Sequence, residues 1–194
     1  MSFLDVTPPT PAEAKAASAA YKHVAGKFFR NVHGIDRDPD EVFAEVFKAM
    51  DAGRTPKNTL GLTSEHIEAL LATAHNLIQA GALPEAQEKL LLAMMLDPHE
   101  ARAIYAAAVT LQIQRRYADA GRIYACYVYA KPDDPAGYLR IGECLLGEGV
   151  LDEAREFVAG ALSTAEEAKD ALTAEQARKV LAVIDARRSI ISKE

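Results

Sequence analysis

From residue 64 onward, apolar side chains recur at the three- and four-residue spacing of helices that bury one face. Leu70, Ala74 and Leu77 form one stripe, Ile104, Ala108 and Leu111 a second, and Tyr138, Gly142 and Leu145 a third. Corresponding members stand 34 residues apart, and the same interval relates Ala86, Ala120 and Ala154, and Pro98 and Pro132. After each stripe comes an answering face: Ala86, Leu90 and Ala93, then Ala120, Tyr124 and Tyr127, then Ala154, Val158 and Ala161. Small residues in fixed columns let two backbones approach closely, so each period reads as two antiparallel helices joined by a turn. The turns centre on Gly81, Arg115 and Gly149, two of which carry the residue suited to a left-handed helix exit.

The pattern predicts helices at about 11–31, 39–52, 64–80, 84–96, 98–114, 118–130, 135–147, 152–168 and 174–190. Thr10-Pro11 with Glu13, Asp38-Pro39 with Glu41 and Asp97-Pro98 with Glu100 each combine a capping side chain, a first-turn proline and an acidic residue. Glu166 stands in the column of Pro98 and Pro132, so the second helix of the third period is free to run on. A last helix, opened by Thr173 with Gln176 as a capping box, is striped by Ala177, Val180, Leu181 and Ile184 and reads as a cap on the third period. Three regions result: an N-terminal helical arm over 1–62, three repeats over 63–168, and a capping helix over 169–194.

The arm differs in kind. Tyr21, Val24, Phe28 and Phe29 form one apolar face, and Val42, Phe43, Val46, Phe47 and Met50 another; five of the chain's six phenylalanines fall within residues 1–50. Faces that large must cover the repeats or a second copy of the chain, so Tyr21, Val24, Phe28, Phe29, Phe43 and Phe47 are the candidate dimerisation residues.

Composition narrows the function. Lys and Arg total 22 against 28 Asp and Glu, a net charge of -6 with no basic block, which disfavours nucleic acid as a partner. The N-terminus lacks a basic-then-apolar leader, and no stretch approaches the roughly 18 apolar residues of a membrane span; a soluble cytoplasmic protein without membrane insertion is expected. Cys126 and Cys144 lie in different helices without CxxC spacing and read as buried reduced thiols. His23, His33, His66, His75 and His99 are scattered, with no ligand spacing among them, so no metal or other cofactor is expected. Gly142, Gly147 and Gly149 lack the Gly-Lys-Ser/Thr of a phosphate loop, and Glu166-Glu167 reads as a solvated helix face, leaving no catalytic set and no enzyme.

The first helix of each period carries a second stripe: Leu71, His75 and Ile78, then Tyr105, Val109 and Gln112, then Leu139, Glu143 and Leu146. Six of these nine are apolar, a trough with polar markers of the sort that receives a peptide. Arg102, one turn before Tyr105, completes the candidate set. A client segment and the chain's own arm both fit such a trough.

The 34-residue period with small crossing residues and closing prolines identifies an all-α tetratricopeptide solenoid of three helix-turn-helix repeats. Within it, Ala-Gly-Ala-Leu-Pro-Glu-Ala at 80–86, Gln-Arg-Arg-Tyr-Ala-Asp-Ala at 114–120 and Gly-Glu-Cys-Leu-Leu-Gly-Glu-Gly-Val-Leu-Asp-Glu-Ala at 142–154 resemble the class II chaperones of bacterial type III secretion. The lead-in from Lys48 to Lys57, followed by Gly61-Leu62, is similar too. The resemblance implies a cytoplasmic holdase that clamps a short segment of a secreted translocator in its concave groove and dimerises through N-terminal helices. It also implies, for some members, a transcriptional activator as a further partner. In the first repeat, where the family usually places aromatics, this chain has Leu71, His75 and Ile78, and its arm is longer. The alternative is a general tetratricopeptide scaffold joining folded partners.

Overall fold

The computed structural model describes residues 51–191, with Glu41, Ala44, Glu45, Lys48 and Ala49 besides. The arm's candidate dimerisation residues Tyr21, Val24, Phe28, Phe29, Phe43 and Phe47 lie outside the described residues, as do the helix starts at Thr10 and Asp38. From Pro56 on, the described chain consists of helices and turns: α1 Pro56–Thr59, α2 Ser64–Gln79, α3 Leu83–Leu96, α4 Ala101–Ile113, α5 Tyr117–Ala130, α6 Pro135–Glu148, α7 Leu151–Glu167 and α8 Ala171–Ile191. No helix among the described residues is long and apolar enough to cross a membrane. From Asp51 on, the described chain divides into two compact units between Glu100 and Ala101, after the first helix pair. Within the first unit α3 packs on α2 and α1; within the second, α4 to α8 pack in series, α8 touching both α7 and α6.

In the first unit, Ala74 and Ala86 are fully buried where α2 meets α3, and Leu90 and Ala93 join them. Leu62, Ile67, Leu92 and Leu96 form a separate small core. Helix α2 starts at a histidine-based cap: the Thr63 N–H donates to His66 Nδ1 at 3.2 Å, the ring standing where a capping box has Glu or Gln. Asp97 does not open the next helix. Its Oδ2 pairs with Lys57 Nζ at 2.6 Å and its Oδ1 accepts from the His99 N–H, so Pro98–Glu100 form a turn and α4 begins at Ala101. Thirty-four residues on, Pro132 likewise lies in a turn, and Asp134 caps α6 by accepting from the Ala136 N–H at 2.9 Å.

In the second unit the small-residue columns form the seam. Ala108, Ala120 and Ala154 are fully buried, and a Cβ on Gly142 would lie 2.3 Å from Val158 Cγ2 and 3.2 Å from the Ala154 carbonyl oxygen. Glycine at that column is therefore what allows α6 to meet α7 this closely. With Glu166 in place of a turn proline, α7 runs 17 residues against 14 in α3 and α5. Helix α8 starts earlier than its expected Thr173 cap, because Asp170 takes that role, accepting from the Thr173 N–H at 3.1 Å while Thr173 itself is buried. Ala177 and Ile184 join the core and cover the third repeat. Exposed ion pairs Arg155–Asp185, Arg178–Glu166 and Arg188–Asp152 link α8 to α7, each worth little by itself. Gly81 and Gly149 exit their helices at φ +75° and +80°, and Arg115 holds the equivalent turn at φ 59°.

Candidate functional site

Three helices of the second unit converge on Tyr105. Its ring, projecting from α4, meets Tyr124 edge-on (centroids 5.4 Å, 68° between planes) and Tyr127 likewise (5.0 Å, 62°), both on α5. From α6, Arg140 Nε donates to the Tyr105 hydroxyl oxygen at 3.0 Å. Arg140 Nη1 also donates to Glu143 Oε2 at 2.8 Å, one turn along the same helix. Gln112 at the end of α4 donates to the same Oε2 at 2.9 Å and accepts from the Tyr124 hydroxyl at 2.8 Å. A continuous hydrogen-bonded chain thus runs from Tyr124 through Gln112, Glu143 and Arg140 to Tyr105, three of its links involving Glu143 or Arg140 and so charge-assisted. Beside it, Tyr127 donates to Asp134, the cap of α6.

Tyr127 stands in a column occupied by Ala93 and Ala161 in the other repeats. Space for its ring comes from Gly137, where a Cβ would approach Tyr127 Cδ1 to 3.0 Å and Val128 Cγ2 to 2.7 Å. The aromatic cluster and the glycine are one packing solution, with α6 drawn close to α5.

Burial favours the neutral phenols of Tyr124 and Tyr127. Burial raises Tyr124 above its ordinary value, with Tyr105 adding to the effect, and burial followed by the Asp134 hydrogen bond raises Tyr127. Burial pulls Arg140 toward neutrality, but its hydrogen bonds to Tyr105 and Glu143 outweigh that and hold it above its ordinary range. Cys144, buried in the same core, is pushed up to about 12 by desolvation and then by Glu143, so its thiol is no nucleophile near neutrality. Cys126 is exposed, contrary to the expectation of two buried thiols. Among the described residues no group of three or more His, Cys, Asp or Glu could hold a metal ion. The arrangement offers hydrogen bonding, aromatic surface and a compensated charge pair, the means of recognition.

Of the expected stripe, Tyr105, Gln112 and Glu143 come together here, with Val109 and Leu146 half-buried against the same core. Arg102 is exposed on α4. Leu139 is not an open groove residue: it is 1% exposed, inside the core cluster, because α6 is packed on both α5 and α7. In the first unit, Leu71 is half-buried against the small core there, His75 is exposed and Ile78 half-buried. Sequence reasoning did not single out Arg140. Its signal was available, a charged residue in a column that is Ala72 and Ala106 in the other repeats, three residues before Glu143.

No protein-family model matches the chain, and no curated protein matches it in sequence. Solved structures do. PcrH in complex with the chaperone-binding region of PopD is 28% identical with a TM-score of 0.61, the match covering 66% of this chain and 97% of that one. PcrH from Pseudomonas aeruginosa, in a separate crystal structure, is 26% identical at a TM-score of 0.61, over 64% of this chain and 95% of that one. The Yersinia enterocolitica type III secretion translocator chaperone SycD shares the fold at 20% identity and a TM-score of 0.61, over 68% and 94%. The chain is thus all-α, with the tetratricopeptide-like fold of the translocator chaperones to which it is similar.

Proposed function

We propose that this chain is a chaperone of a type III secretion system that holds a translocator in the cytoplasm before export, and that Tyr105 lies at the centre of the surface that takes it. The carrying observation is the likeness over almost the whole length of PcrH, a protein crystallised with a chaperone-binding region on it. The site fits that role: a rigid aromatic cluster with a neutral hydrogen-bonded surround suits docking of a peptide, and rigid aromatics dominate such interfaces. SycD, the fold neighbour, is crystallised with a peptide of the translocator YopD and, separately, as an alternative dimer. Dimerisation of this chain through its N-terminal arm belongs to the same proposal.

Co-expression with candidate translocators and pull-down is the test. Wild type brings down a protein with transmembrane segments, and Tyr105→Glu, folded by circular dichroism, loses it by at least about thirtyfold in affinity. Recovery of folded soluble proteins only, or full client retention by Tyr105→Glu, would overturn the assignment.

A further inference from the structure

Arg140 has more hydrogen-bonding capacity than the fold uses. Of its five N–H donors, Nε serves Tyr105 and one on Nη1 serves Glu143, and among the described residues no acceptor meets Nη2. Glu143 is lopsided in the same way: Gln112 and Arg140 both donate to Oε2, and Oε1 accepts from nothing among the described residues. The Tyr105 oxygen accepts from Arg140, and among the described residues no acceptor takes its proton. These groups are within reach of a ligand, the side chains of Arg140 and Glu143 being 33% and 22% exposed.

Unspent donors thus stand beside an unspent acceptor, and the two formal charges cancel across 2.8 Å. An anionic ligand gains little here, because Glu143 already neutralises Arg140 and would repel it at close range. A main-chain amide, which offers a carbonyl and an N–H without charge, matches both sides. Only an extended segment has those groups free, since a helix spends them internally. Resting on the chaperone reading above, we propose that Arg140, Tyr105 and Glu143 read the uncharged main chain of an extended client segment, and that Glu143 acts as a charge filter excluding acidic side chains from that register.

The probe is a fluorescent peptide of the chaperone-binding region of PopD, measured by anisotropy against the full chain, with aspartate substituted at each position in turn. For wild type, aspartate at one or two neighbouring positions weakens binding by about tenfold or more. In Glu143→Gln, which keeps the side-chain shape and an acceptor oxygen, the affinity ratio of the unsubstituted peptide to those aspartate peptides, both measured on the same variant, shrinks by at least about fivefold. The double variant Arg140→Gln/Glu143→Gln, which leaves no unpaired charge behind, weakens the unsubstituted peptide by about tenfold and still shows the reduced aspartate penalty, because the repelling carboxylate is gone there too. An aspartate profile identical in wild type and folded Glu143→Gln overturns the filter and leaves the chaperone reading standing. Folded wild type that binds neither this peptide nor any co-expressed translocator overturns both.

Discussion

Repeats one and three place leucine at one position of their first helix, yet Leu71 is half-buried while Leu139 is sealed in a core. The column five residues on repeats the contrast, with Asn76 exposed and Thr110 and Cys144 fully buried. Each helix consumes as much of its circumference as it has neighbours within its unit. Among the described helices α2 packs on α3, whereas α6 is in contact with α5, α7 and α8. Equal positions in a repeat are therefore unequal environments, and a stripe read as one continuous surface splits into exposed, bonded and buried parts. In the second unit the bonded part is where chemistry concentrates, Gln112 and Glu143 being tied to Arg140 and the tyrosines.

The sharpest way to break this contrast is to put the same charge at both leucines. Leu139→Glu places an unpaired carboxylate in a closed core and costs at least about 3 kcal/mol, while the carboxylate of Leu71→Glu reaches water and costs about 1 kcal/mol. Urea melts followed by circular dichroism measure both, and equal losses would mean that the two positions share one environment. Next in size, Gly142→Ala drives a methyl against Val158 and the Ala154 carbonyl, costing about 1–3 kcal/mol. Ala108→Gly, the reverse exchange one repeat earlier, costs about 1 kcal/mol through helix propensity, and a neutral Gly142→Ala in the same melts would remove the close crossing.

Cys144 extends the comparison to pH. Its folded value is raised from 9.0 to about 12, so the folded chain keeps a proton that the unfolded chain gives up above about 9. Stability is level on this account below pH 9 and declines as pH rises from there toward 12, with Tyr124 acting in the same direction. Cys144→Ala makes the decline shallower. In native protein at pH 8 a thiol reagent modifies one of the two cysteines quickly, the exposed Cys126, and the second only on unfolding. Two fast thiols would contradict the burial. The smallest effect concerns the turns: Arg115→Gly gives the second repeat the residue its neighbours use at positive φ and raises stability by up to about 1 kcal/mol. Loss of stability would assign Arg115 a contact that outweighs its backbone strain.

Much of the fold is a local property of this sequence. Helix periodicity, alanine columns and left-handed turn residues act within a few positions or between helices joined by a short turn, which is why Ala74, Ala86, Ala120 and Ala154 are buried as the spacing implies. Even the start of α4 was legible, since the 34-residue register sets Ala101 beside Pro135, though the Asp97-Pro98 signal pointed three residues too early. What tertiary structure alone decided was the fate of each remaining face: that Leu139 is core, that His66 is a cap, and that Arg140 reaches across to Tyr105 from 35 residues away. A periodic pattern states which direction a side chain leaves its helix. How many neighbours wait in that direction, and whether they are apolar or hold a hydrogen-bond partner, is set by the packing of elements the pattern treats as identical.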